Sequence, residues 1–129
     1  MKILCGVSLL PAEDVRAASA PLFAEGLVDA IEWSVDFGFG PGSIPTWIDD
    51  LLQHYASRDA LFAHGVELSP MTAELAPHQG AWLDALDDAF RRRPFRHLTE
   101  HYGFMTAGPI VRGTPLPLPP SRAALEVAT

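Results

Sequence analysis

Several acidic, imidazole and hydroxyl side chains fall inside or just past short apolar runs: Glu32, Ser34 and Asp36, then His64 and Glu67, then Glu100 and His101, with Ser8 in the first run. Imidazole and carboxylate together are the donor set of zinc, iron and manganese sites, and the same groups act as general acids and bases. No two of these residues have the spacing of a local metal motif, so their chemistry depends on strands brought side by side. Each also has a plainer reading. His64, inside Phe62–Val66, suits a hydrogen-bonded core histidine. Glu100 suits an ion pair with Arg96 or His97. Glu32, between Ile31 and Trp33, needs a partner of some kind if buried.

The elements that must position them alternate along the chain. Apolar runs over 3–9, 28–34, 60–66 and 95–101 read as strands. Between them, 12–25 carries Val15, Ala18 and Leu22 at helical spacing and closes at Gly26, while Pro21 predicts a kink or a split. Pro45 suits the first turn of a helix with Trp47, Ile48, Leu51, Leu52 and Tyr55 on one stripe. A third helix is expected over 78–93, with Trp82, Leu83, Leu86 and Phe90 facing the core. The stretch 103–118 shows no period, and Ser121 suits the cap of a last helix over 121–128. Strands that alternate with helices imply a parallel sheet, in which functional groups project from the C-terminal strand ends. The reading is α/β: one domain over 1–129 of about four β/α units, half of a (β/α)8 TIM-type barrel. An open doubly wound sheet is the alternative, although no GxGxxG follows the first strand.

Sixteen acids against nine bases give a net charge of -7, which disfavours nucleic acid and anionic membrane surfaces. A single cysteine, Cys5, rules out an internal disulfide and fits a reducing, cytoplasmic setting. In its apolar run it is expected to be an inert core thiol. The apolar start resembles a signal peptide only faintly, since Glu13, Asp14 and Arg16 follow at once. Arg91, Arg92 and Arg93 read as a solvated helix end. The glycines at 38, 40 and 42 lack the Lys-Ser/Thr of a P-loop. Pro115, Pro117, Pro119 and Pro120 predict an extended segment.

Three segments carry a family likeness: LFAHGVELS (61–69), HLTEHYGF (97–104) and PLPLPPSRAALEVA (115–128), with GVSLLP at the start. In order and rough spacing the chain resembles the N-terminal half of the DUF692 (UPF0276) group of multinuclear non-haem iron oxidative enzymes. That resemblance implies a TIM barrel holding two or three irons. It also implies oxidative modification of cysteines in ribosomally made precursor peptides, often with a partner protein that presents the peptide. Carried over by residue, it makes His64 and Glu100 metal ligands, with Glu100 able to bridge irons. It leaves Asp36, Glu32 and His101 to complete or orient the site.

Two departures from the family's pattern stand out. Ser34 occupies the place of an expected iron-binding histidine, and Gly113-Thr114 replace an Asn-Asp pair. The family's later ligands belong to the second half of its barrel, so the expectation is a divergent member, a fragment, a homo-oligomer, or a chain completed by another. Two other functions stay open: a xylose-isomerase-like metal-dependent barrel, and a non-catalytic half-barrel serving as a binding or assembly module.

Overall fold

A computed structural model of the chain describes residues 3–40, 42, 44–72, 77–107 and 110–127, with 106, 107 and 110–114 described as backbone only. Four short strands form one parallel sheet in chain order: β1 (Gly6–Leu9), β2 (Ala30–Ser34), β3 (Leu61–Gly65) and β4 (Leu98–Glu100). Between them run α1 (Glu13–Ala24), α2 (Thr46–Ala56) and α3 (Pro77–Arg92). An antiparallel pair, β5 (Phe104–Ala107) and β6 (Ile110–Leu116), and a short α4 (Arg122–Val127) follow. Among the described residues, no helix is long and apolar enough to cross a membrane.

Strand alternation divides the sheet into two unlike faces. Leu9, Trp33, Ala63 and Leu98 lie in register, as do Ile31 and Leu61, and this face carries the core. Ile48, Leu52 and Tyr55 of α2, Trp82 of α3 and Phe23 of α1 pack against it. Fully burying Trp33, Ile31, Ile48, Leu52 and Leu61 contributes about 1.5–3 kcal/mol for each side chain. The opposite face carries Ser8, Glu32, Phe62 and then Ser34, His64, Thr99.

Most elements lie close to where the sequence places them, and the differences have physical causes. The first strand begins at Gly6, and Ile3 is exposed. Cys5 is exposed too, so the buried thiol expected there is corrected: the chain enters the sheet only beyond it. The Cys5 N–H donates to Asp29 Oδ2 at 3.1 Å, and Asp29 donates its own N–H to the Cys5 carbonyl. Helix α1 runs through Pro21 unbroken and ends before Gly26, whose φ of 67° is the left-handed value a helix terminus favours.

In α3 the inward stripe is Trp82 and Leu86, whereas Leu83 and Phe90 are exposed, contrary to the expectation for them. Arg93 is not solvated as expected. Its side chain is only 14% exposed and pairs with Asp49 of α2 across the helix layer. Arg91 does stay outside, bonded to Asp87 and Asp88 of its own helix. The hairpin β5–β6 occupies the stretch in which no period was visible. Its strands pair with each other, so alternation has no helix-covered face to imprint on the sequence. Gly103 is required at its entry, because a Cβ there would stand 2.8 Å from the Leu116 carbonyl oxygen. Ser121 caps α4 as expected, accepting the Ala124 N–H at 3.2 Å.

Candidate functional site

The candidate residues separate according to the face of the sheet they occupy. Glu32 of β2, His64 of β3, Thr99 of β4 and His101 one residue beyond it share the face opposite the helices. Thr99 Oγ1 lies 2.8 Å from His64 Nδ1, 3.4 Å from Glu32 Oε1 and 3.4 Å from the Ala63 carbonyl oxygen. The His64 and His101 rings meet edge to face, with centroids 4.9 Å apart. His101 Nδ1 is buried and has no hydrogen-bond partner among the described residues. Ser34, register partner of His64, is buried beside this group. Below it, Phe62 packs edge to face on His97 at 4.6 Å. A groove of about 280 Å³ lined by Gly6, Ser8, Glu32 and Phe62 opens next to Glu32.

Glu100 and Asp36 do something else. Glu100 is the register partner of Gly65, so its side chain leaves the sheet on the helix face, away from His64. Its Oε1 accepts the Leu68 N–H at 3.0 Å and its Oε2 accepts the N–H of His101. Neither Arg96 nor His97 pairs with it; Arg96 lies instead against Asp59 and over the Phe62 ring. Burial pushes the Glu100 carboxyl above its ordinary value. The two amide hydrogen bonds oppose that shift, and the nearby Asp36 charge adds to it.

Asp36, in the 3-10 turn Val35–Gly38 that follows β2, accepts the N–H groups of Val66 and Glu67 at 2.9 and 3.2 Å and the indole N–H of Trp82 at 2.5 Å. Together the two carboxylates hold the turn that leaves β3 through three successive amides, residues 66 to 68. Glu67 lends its backbone to this arrangement while its side chain is exposed.

The structure thus brings Glu32, His64 and His101 together and leaves Glu100 and Asp36 on the other side of the sheet. Thr99 was missed in the sequence, although its place two residues before His101 put it on the same side of β4. Trp82 was read only as core, yet its indole N–H joins the carboxylate cluster.

The iron centre implied by the resemblance can be tested against these positions. Two imidazoles and one carboxylate are a fitting donor set for a divalent transition metal, and the unpartnered His101 Nδ1 is a polar atom in want of a ligand. Among the described residues, however, no three His, Cys, Asp or Glu side chains converge closely enough to hold an ion. The carboxylate meant to bridge irons is committed to backbone amides. The residues present therefore do not fit a two- or three-iron centre by themselves. Comparison of the chain with family models, with curated proteins and with solved structures gave no match.

Proposed function

We propose that the chain is one half of a (β/α)8 barrel of the DUF692 type, and that Glu32, His64 and His101 are its contribution to a metal site which further strands complete. In the whole barrel, iron would supply the oxidising chemistry toward a cysteine-containing precursor peptide delivered by a presenting protein. The observation that carries this reading is the placement of a carboxylate and two imidazoles, from three consecutive parallel strands, on the one face that the helices leave free. On the family's own logic that face lines the barrel axis. What this chain's residues do there is definable without the metal. Glu32 and Thr99 orient His64, and Ser8, Glu32 and Phe62 shape the adjoining groove. Glu100 and Asp36 fix the turn leaving β3, so that the end of that strand stays in place.

The reading is tested by titrating the purified chain anaerobically with Fe(II) and, separately, with Co(II), following bound metal and cobalt absorption. One ion should bind weakly, with Glu32, His64 and His101 drawing together around it and water in the positions that further strands would complete. Its affinity should fall at least about tenfold in His64→Ala and in His101→Ala. Glu100→Gln should leave binding within about twofold, since its side chain faces the other way. No binding of either ion, or a loss in Glu100→Gln equal to that in His64→Ala, would defeat the assignment. A second reading, a binding or assembly module without catalysis, is favoured by β1 and β4, which stand at the sheet edges with no strand beside them among the described residues.

A further inference from the structure

We infer that Thr99 is a positioning residue that fixes neutral His64 in its Nδ1–H tautomer and so leaves the Nε2 lone pair as the working donor of the site. A count of protons decides the tautomer. The Thr99 hydroxyl has one proton and three near neighbours: His64 Nδ1 at 2.8 Å, Glu32 Oε1 at 3.4 Å and the Ala63 carbonyl oxygen at 3.4 Å. A carboxylate and a carbonyl can only accept. If the hydroxyl gave its proton to His64, its lone pairs would face two oxygens that have nothing to donate. If it gives the proton to either oxygen, a lone pair is free to accept from His64 Nδ1–H, and only one of the three contacts is left without a proton instead of two. The chain of donation then runs from His64 through Thr99 to Glu32 or to the strand backbone, across three adjacent strands. Imidazoles that bind metals or take protons are commonly oriented this way, with one ring nitrogen held by a neighbour and the other left available.

The threonine is also placed where it cannot easily be spared. It is the register partner of His64, so no other side chain of β4 stands directly opposite the ring. A serine would present the same hydroxyl, and a valine would keep the shape while removing both donor and acceptor.

The inference concerns the same histidine as the proposed metal site but does not need a metal to be read. Long-range ¹H–¹⁵N correlation spectra of the full chain, labelled and recorded metal-free at a pH of about 8.5 where an ordinary imidazole is neutral, report the tautomer directly. His64 should show a protonated, pyrrole-like Nδ1 and a pyridine-like Nε2. Thr99→Ser should keep that pattern, and Thr99→Val should lose it in favour of the Nε2–H form. With Co(II) as the probe, Thr99→Val should weaken binding about 10- to 100-fold, with Thr99→Ser restoring it. An Nε2–H tautomer in the unsubstituted chain overturns the inference, whether or not Thr99→Val folds, and so does a tautomer unmoved in a folded Thr99→Val. A chain that holds the Nδ1–H tautomer yet binds no metal would refute the metal-site reading while leaving this one intact.

Discussion

Replacing Asp36 by alanine should cost the protein stability before it costs any activity. The carboxylate accepts three hydrogen bonds, from the Val66 and Glu67 amides and from the Trp82 indole. The three losses are unequal. Val66 is half-buried and Glu67 exposed, so water can replace much of what the two amides lose. Trp82 is 6% exposed, and its indole N–H would be left buried without an acceptor, at about 1–3 kcal/mol. Bonds to an ionised acceptor are worth about 1.5–3 kcal/mol each before that replacement, which puts the total near 3–5 kcal/mol. Set against a typical total of about 5–15 kcal/mol, such a loss is severe.

At about 3–5 °C per kcal/mol for a chain of this size, the melting temperature should fall by about 10–20 °C. Asp36→Asn keeps an oxygen where Oδ1 receives Glu67 and Trp82, and should cost only about 1–2 kcal/mol. Urea unfolding followed by tryptophan fluorescence and by far-ultraviolet circular dichroism measures both variants. An Asp36→Ala protein within 1 kcal/mol of the original, or an Asn variant as unstable as the Ala one, would refute the claim that this carboxylate is an anchor for the turn after β3.

The other carboxylate of the pair predicts a pH dependence. Burial raises the Glu100 carboxyl above its usual value, so between the unfolded and folded values the folded chain binds more protons than the unfolded one. Stability must then fall as pH rises through that window and is greatest below it. In Glu100→Gln that part of the slope should vanish, which thermal melts from pH 4 to 8 would register; an unchanged slope would sink the assignment. Gly65→Ala probes the same neighbourhood sterically, because the added Cβ would stand 2.8 Å from Trp82 Cζ2 and 3.0 Å from Cη2. The expected cost is about 1–3 kcal/mol in the same unfolding assay, together with a shift in tryptophan emission as the ring is displaced from Asp36.

How far the fold was legible in the sequence depended on whether an element had a partner that imposed a pattern. Helix α2 announces itself, since Ile48, Leu52 and Tyr55 must all face the sheet, and all three are buried. The central strands β2 and β3 read as apolar runs because Ile31, Trp33, Leu61 and Ala63 lie under the helices. Strand β1 is shorter than its apolar run: at the sheet edge, Ile3 and Cys5 are hydrophobic without being buried. The β5–β6 pair stayed invisible because its strands pair with each other and lie outside the parallel sheet, with Met105, the one buried side chain described in them, too little to set a period. Pro21 misled for a related reason. Proline disfavours a helix interior locally, but the rule does not weigh what the packing of Phe23 against the core gains by continuing α1 through it.

Legibility of the site turned on a finer matter, the parity of residues along a strand. Position at a strand end selects Glu100 and His101 equally, and the sequence cannot say which of two neighbours faces which way. Register decides it: Thr99 stands opposite His64, so His101 shares their face and Glu100 must take the other. The same parity sets Glu32 with the imidazoles and turns Trp33 into the core. One step of register thus divides the acidic residues into two trades. Those on the helix face are drawn to backbone amides and an indole, where a charge in poor solvent needs donors. Glu32, on the opposite face, keeps an oxygen within reach of a hydroxyl that is itself hydrogen-bonded to a histidine. A slip of one residue in β4 would exchange the roles of Thr99 and Glu100 and dissolve both arrangements. The amide bond from Leu68, on the turn leaving β3, to Glu100 helps to hold that register. The anchor on one face is in this way a condition for the chemistry on the other.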